Sequence, residues 1–297
     1  MKYGLLVPNW APFDQELMLK IALLAEELGF DHLFFTDHLT NPHVESDNLP
    51  DLTVESWSLI SYISALTSRI RLGTAISPIA VRPPALLAKV VATVDNLSSG
   101  RIDLGVGTGW SPGSFGLLGA DFGNPQTRGK RLREGIELIQ RLWSEEEVNF
   151  SGEFYLSKKG VVAPKPIQKP HPPIWLGGFR EPMLKITGEL ADGWLPWHRP
   201  LDVYAECLKR IHDYASEAGR SEKSVLPGTV VMVVADELRD VPLNLGQGEP
   251  PNVTISTVQE TVAAYAEAGA EVFIVFLYPA ENVLKTIREL AKKLFNG

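Results

Sequence analysis

Cysteine is almost missing from the 297-residue chain: Cys207 stands alone, so no intrachain disulfide and no cysteine-cluster zinc site can form. That usage fits a reducing setting, and a cytoplasmic location is expected. A basic surplus is lacking as well. Twenty-eight Lys and Arg stand against 36 Asp and Glu, a formal net charge of −8, so no broad face can neutralise nucleic-acid phosphates or anionic lipid. No apolar stretch reaches the roughly 18 residues of a membrane span, and the first apolar run, residues 3–7, is too short for a signal-peptide core. Neither nucleic acid nor membrane is therefore expected as a partner. Metal-ligand spacing is also absent. His32, His43, His171 and His212 are scattered, without H-x-H or H-E-x-x-H, so no metal site is expected and a metal-dependent hydrolase is disfavoured.

What is present is ordinary for a folded globular chain: 44% hydrophobic and 22% charged residues. Short apolar runs alternate with amphipathic stretches, the pattern of βα units around a parallel sheet buried on both faces. Eight strands are predicted, at residues 3–8, 31–36, 70–76, 102–107, 174–177, 193–196, 229–235 and 271–277. The expected architecture is one (β/α)8 TIM barrel over residues 1–297, with insertions near 109–126, 144–173 and 236–253. In the first helix Asp14 can cap the N-terminus, Leu17, Ile21, Leu24 and Leu28 form one stripe, and Gly29 suits a left-handed stop. Similar stripes follow: Leu87, Val91, Val94 and Leu97; then Leu132, Ile136, Ile139 and Trp143; finally Val283, Ile287, Leu290 and Leu294.

Barrels of this kind carry their working groups at the C-terminal ends of the strands. Asp37-His38 sets a carboxylate beside an imidazole at the second strand's exit, able to orient a neutral ring and move a proton near pH 7, or else to serve as a helix entry with a solvated histidine. Gly105-Val106-Gly107-Thr108-Gly109 lets backbone approach a flat ligand or simply meets the needs of tight turns. It lacks the G-x-G-x-x-G spacing of a dinucleotide fingerprint. Gly177-Gly178, ahead of a helical stretch, is either an anion site at a helix N-terminus or a plain strand-to-helix turn. Trp10, Trp110, Phe115, Trp197 and Tyr278 are expected around the mouth, with His198 as a pocket liner, while His32 is assigned to the opposite, stabilising end.

Several ordered segments resemble the luciferase-like monooxygenase superfamily, and within it the coenzyme F420-dependent (5-deazaflavin) oxidoreductases. They are Ile70-Arg71-Leu72-Gly73-Thr74-Ala75 through Arg82-Pro83-Pro84, Leu97-Ser98-Ser99-Gly100-Arg101, Leu104-Gly105-Val106-Gly107, Pro164-Lys165-Pro166-Ile167-Gln168, Pro172 through Gly178, and Ala191-Asp192-Gly193-Trp194. The likeness runs over nearly the whole chain. It implies a barrel with the cofactor ring at the C-terminal mouth, backed by a bulge at Ala75-Ile76 that often holds a non-prolyl cis peptide. It further implies cofactor contacts from Asp37, Thr108, Gly109, Leu176, Gly177 and Gly178, and an acid or base at His38. Trp10, Trp110, Trp197 and His198 are left to line the substrate pocket.

One departure stands out. Several deazaflavin enzymes place a glutamate directly after the Gly-Thr-Gly turn, where this chain has Trp110. The resemblance therefore implies hydride transfer between F420 and a small organic substrate, with two alternatives. One is an FMN-dependent two-component monooxygenase served by a flavin reductase; the other is a non-catalytic flavin-binding barrel. A homodimer is implied as the assembly.

Overall fold

Each periodic segment takes the form its pattern dictates. In the first helix Asp14 Oδ1 accepts from the Leu17 N–H at 2.8 Å, and Gly29 ends it in the left-handed region at φ +97°. The computed structural model describes residues 1–10, 13–40, 53–236, 253–277 and 282–295. The elements are β1 (Lys2–Val7), α1 (Gln15–Leu28), β2 (His32–Phe35), α2 (Ser56–Leu66), β3 (Arg71–Thr74), β4 (Ser77–Pro78), α3 (Pro84–Leu97), β5 (Ile102–Gly107), α4 (Pro112–Leu117), α5 (Pro125–Ser144) and β6 (Val148–Ser151). They continue with β7 (Leu156–Gly160), β8 (Ile174–Leu176), α6 (Glu181–Leu190), β9 (Gly193–Trp194), α7 (Leu201–Glu217), β10 (Leu226–Val234), β11 (Val253–Thr254), α8 (Val258–Glu267), β12 (Val272–Leu277) and α9 (Val283–Phe295).

Strands β1, β2, β3, β5, β8, β9, β10 and β12 pair in that order, always in parallel, and β12 returns to β1. The result is the closed (β/α)8 TIM barrel expected from the alternation. Side chains alternate across its wall. Leu5, Val7, Leu33 and Phe35 join the helices in the larger core, whereas Leu6, Phe34, Trp175, Leu195, Val230, Met232, Ile274 and Phe276 fill the lumen. At the N-terminal end of the strands, Arg71 holds the buried Asp103 carboxylate from Nε (3.0 Å) and Nη2 (2.7 Å), and His32 Nδ1 lies 3.2 Å from the same group. Burial works against that carboxylate's charge, but His32 and Arg71 outweigh it and hold its pKa below the ordinary range.

The structure departs from the expected pattern in four places. The run at 70–76 is not one strand: β3 stops at Thr74, the chain bulges through a cis Ala75–Ile76 peptide, and β4 re-pairs with β5. That bulge lies where the family resemblance implied it. Strand β10 begins at Leu226 rather than Thr229, because Pro227 and Gly228 lie in the strand; Pro227 needs only its carbonyl, which accepts from Glu271 N at 2.8 Å. The inserted 144–173 segment contains the antiparallel β6–β7 hairpin, whose turn is held by Glu134 of α5 through the N–H groups of Glu153, Phe154 and Tyr155, and the 109–126 segment contains α4. Finally, Leu97 is 67% exposed, because the buried face of α3 runs through Ala88, Ala92 and Asp95 on the other flank of Leu87. Most of the 236–253 segment lies outside the described residues. Among those described, no helix is long and apolar enough to cross a membrane.

Candidate functional site

Because the eight barrel strands are parallel, their C-terminal ends share one rim. His38, Ala75, Ile76, Thr108, Gly109, Gly177, Gly178, Trp197 and His198 all stand on it, half-buried, just beyond buried strand residues. The sequence candidates are thus brought to one end of the barrel.

The His38 ring lies between two indoles. Trp10 meets it edge-to-face at 5.0 Å between ring centroids and Trp110 at 5.4 Å. Trp10 is buried, whereas Trp110 is 50% exposed and forms the outer side. The backbone of His38 is held by Asn9, a residue not singled out from the sequence. Asn9 Nδ2 donates to the carbonyls of His38 (2.8 Å) and Val54 (2.7 Å), while Oδ1 accepts from Thr36 Oγ1 (2.8 Å) and His38 N (3.3 Å). Every donor and acceptor position of this fully buried amide is used. It ties the exits of β1 and β2 to the segment entering α2.

Asp37 is turned to different work. Its Oδ2 accepts from Ser77 Oγ and from Arg82 Nε, both at 2.5 Å, and Oδ1 accepts from Arg82 Nη2 at 2.6 Å. Arg82 also reaches Glu55 Oε1 at 2.5 Å, and Glu55 in turn caps α2 by accepting from Trp57 N and Ser58 N. Trp57 Nε1 donates to Ser77 Oγ at 3.1 Å. Burial opposes the Arg82 charge, yet the two carboxylates outweigh it and raise the guanidinium pKa. Burial likewise opposes ionisation of Glu55, but hydrogen bonds from Ser58 and the Arg82 charge lower its pKa. This connected set anchors the bulge at Ser77, whose Oγ also lies 3.0 Å from Thr74 Oγ1 at the bulge's entry, and nothing in the sequence marks Ser77, Arg82, Glu55 or Trp57 for that role.

The glycines of β5 serve that bulge. A Cβ on Gly105 would run into the Thr74 carbonyl, and one on Gly107 would overlap the Ile76 side chain. Ile76 therefore packs directly on bare strand backbone, a use beyond the two readings weighed from sequence. Gly109 sits at φ +76°, where a Cβ would also meet the Phe115 ring at 2.6 Å. Phe115 itself is buried and packs on Phe122 at 4.9 Å, so it supports the rim from beneath instead of lining the mouth. Tyr278 lies outside the described residues.

On the other side of the rim, Leu176 of β8 pairs with Trp194 of β9, and Gly177 approaches the Leu195 carbonyl so closely that a Cβ would lie 2.9 Å from it. The Gly178 carbonyl accepts from Trp194 Nε1 at 2.9 Å. Arg180 then stands at the N-cap of helix α6 and makes no side-chain capping bond. Trp197 packs on Phe276 at 5.0 Å, and Arg199 lies over the Phe179 ring at 3.8 Å. His198 is neutral at pH 7: burial, and then the neighbouring Arg199, push its pKa down to about 4.

A family model described as luciferase-like monooxygenase matches residues 11–243. Among relatives with a named activity, the F420-dependent glucose-6-phosphate dehydrogenase of Microbacterium testaceum is 31% identical over 216 residues, 72% of this chain and 62% of that protein. The FMNH2-dependent dimethylsulfone monooxygenase of Pseudomonas putida is 28% identical over 229 residues, 77% of this chain and 60% of that one. In overall shape the chain is similar to an F420-dependent secondary alcohol dehydrogenase solved with an F420–acetone adduct: TM-score 0.86 at 18% identity, covering 99% of this chain and 98% of the other.

Proposed function

The chain belongs to the luciferase-like monooxygenase family of enzymes, and from that premise we propose that it is an oxidoreductase moving a hydride between coenzyme F420 and a small organic substrate. The observation that carries this reading is His38, a titratable ring set at the strand exits between two indoles. The residues present suit a planar, anionic-tailed group. The rim offers aromatic and backbone surface at Ala75, Ile76, Thr108, Gly109 and Trp197, while Phe179, which follows Leu176, Gly177 and Gly178 in the chain, lies under the guanidinium of Arg199, whose buried Nε lacks a protein partner among the described residues. In this reading the bulge backs the ring, Thr108 and Gly109 flank it, and the glycine pair takes the acidic tail. When bound, the deazaflavin supplies or accepts the hydride.

The remaining work falls to the protein. Trp10 and Trp110 hold His38 and, with Trp197, exclude water from the substrate side. His38 gives or takes the accompanying proton through its imidazole, at a pH where an ordinary histidine titrates in either direction. Asp37 contributes by fixing Ser77 and Arg82, since both its oxygens are already engaged.

A second reading is favoured by Trp110, which stands where several deazaflavin enzymes carry a glutamate: an FMN-dependent monooxygenase fed reduced flavin by a partner reductase. Titration with oxidised F420 and with FMN, followed by difference absorbance, separates the two. Micromolar binding of F420 and substrate-dependent change in its absorbance are expected; binding of FMN alone would overturn the F420 reading.

A further inference from the structure

Tyr265 of α8 locks the chain leaving β9. Its hydroxyl donates to the Arg199 carbonyl at 2.6 Å and accepts from the Arg199 N–H at 2.9 Å, with His198 Nδ1 a third neighbour at 3.1 Å. A phenol has one hydrogen to give, and the Arg199 carbonyl receives it. The contact with His198 must then run the other way, with Nδ1–H as donor. That arrangement corresponds to the Nδ1–H tautomer of the imidazole, in which Nε2 is the acceptor. Arg199 complements it. Its guanidinium carbon lies 3.8 Å from the centre of the ring of Phe179, the residue directly after the glycine pair, and its buried Nε has no hydrogen-bond partner among the described residues. Among the described residues no carboxylate pairs with it, and burial lowers its pKa accordingly. A guanidinium held over a ring and clamped at its backbone, with no carboxylate paired to it among the described residues, is placed to take an anion from outside the chain.

We propose that His198 and Arg199, held by Tyr265, bind the phosphorylated polyol side chain of the ring cofactor, Arg199 meeting the phosphate beside Gly177 and Gly178 and His198 Nε2 accepting a hydroxyl. The proposal rests on the cofactor reading above, and it places His198 on the cofactor's side chain instead of in the substrate pocket expected from sequence. A neutral acceptor next to a fixed cation is the donor and acceptor set that a polyol phosphate requires.

The test compares ligands that differ only in the groups concerned. Wild type, Arg199→Gln and His198→Leu are titrated with FMN, riboflavin and lumiflavin, and with F420 and its phosphate-free chromophore. Arg199→Gln is expected to weaken the phosphorylated member of the bound pair about 10- to 100-fold and to leave its phosphate-free partner unchanged. That unchanged affinity also shows the variant to be folded. His198→Leu is expected to weaken every ligand carrying the polyol about 3- to 10-fold, with lumiflavin unaffected where flavins bind. Equal effects of Arg199→Gln on both members of a pair, or no effect on either, overturn the proposal while the cofactor reading stands. If no ring binds wild type, the cofactor reading falls and takes the proposal with it.

Discussion

Arg82 meets Asp37 along one edge of its guanidinium, with Nε 2.5 Å from Oδ2 and Nη2 2.6 Å from Oδ1, and the same Nη2 reaches Glu55. The Asp37 side chain is fully buried in this pair. Removing the cation strands a charge away from water, whereas removing both partners does not. Arg82→Gln should therefore cost about 3–5 kcal/mol of folding stability, and adding Asp37→Asn should return part of the loss. Urea midpoints of the two single variants and the double variant measure the coupling. Additive losses would show that the pair is not coupled.

Asn9 is a second, neutral anchor. Asn9→Leu keeps the volume but leaves the carbonyls of His38 and Val54 without their donors and Thr36 without its acceptor, so a loss of about 2–4 kcal/mol is expected. His38 should also lose its fixed position. A variant as stable as wild type would show that water or a neighbour replaces the amide.

His38 bears the chemical role in the proposed reaction. His38→Asn should lower kcat about 10²- to 10⁴-fold, the range of a lost general acid or base, with cofactor affinity retained. Steady-state rates and binding titrations on one preparation make the comparison. Unchanged turnover removes His38 from the mechanism.

The lowered pKa of His198 carries a stability signature. An ordinary histidine titrates near 6.5 and this one at about 4 in the folded chain. Between those values the unfolded chain binds a proton that the folded chain does not, so this residue's contribution to stability falls as pH drops from 6.5 toward 4. His198→Gln should flatten the fall. Urea midpoints at pH 7.5 and 5.5 test the sign, because wild type should lose ground to the variant at the lower pH; a pH-independent difference contradicts it.

The barrel was legible because its signals are repetitive and local: apolar strand runs, amphipathic stripes, and a cap and stop such as Asp14 and Gly29. The rim positions of His38, Gly109 and Gly177 followed from strand ends alone. What escaped was contact between segments distant in sequence. Nothing near Asp37 marks Arg82 as its partner 45 residues away, and nothing near Gly107 announces the Ile76 side chain it accommodates. The β6–β7 hairpin was missed for a related reason. Its strands are short and largely exposed, and its turn is organised by Glu134, which belongs to the helix before it. Leu97 shows the opposite error, a helical repeat continued past the face that the barrel covers.

Below the rim the lumen is packed solid by Phe34, Trp175 and Leu6, and Asp103, His32 and Arg71 seal its far end. Among the described residues the vessel has a floor, and the rim is the way in. Two molecules that share one doorway must queue: whichever rests deeper enters first and departs last. For the proposed cofactor and substrate, turnover would then follow a compulsory sequence, and a dead-end mimic of the outer guest would trap the inner one rather than displace it.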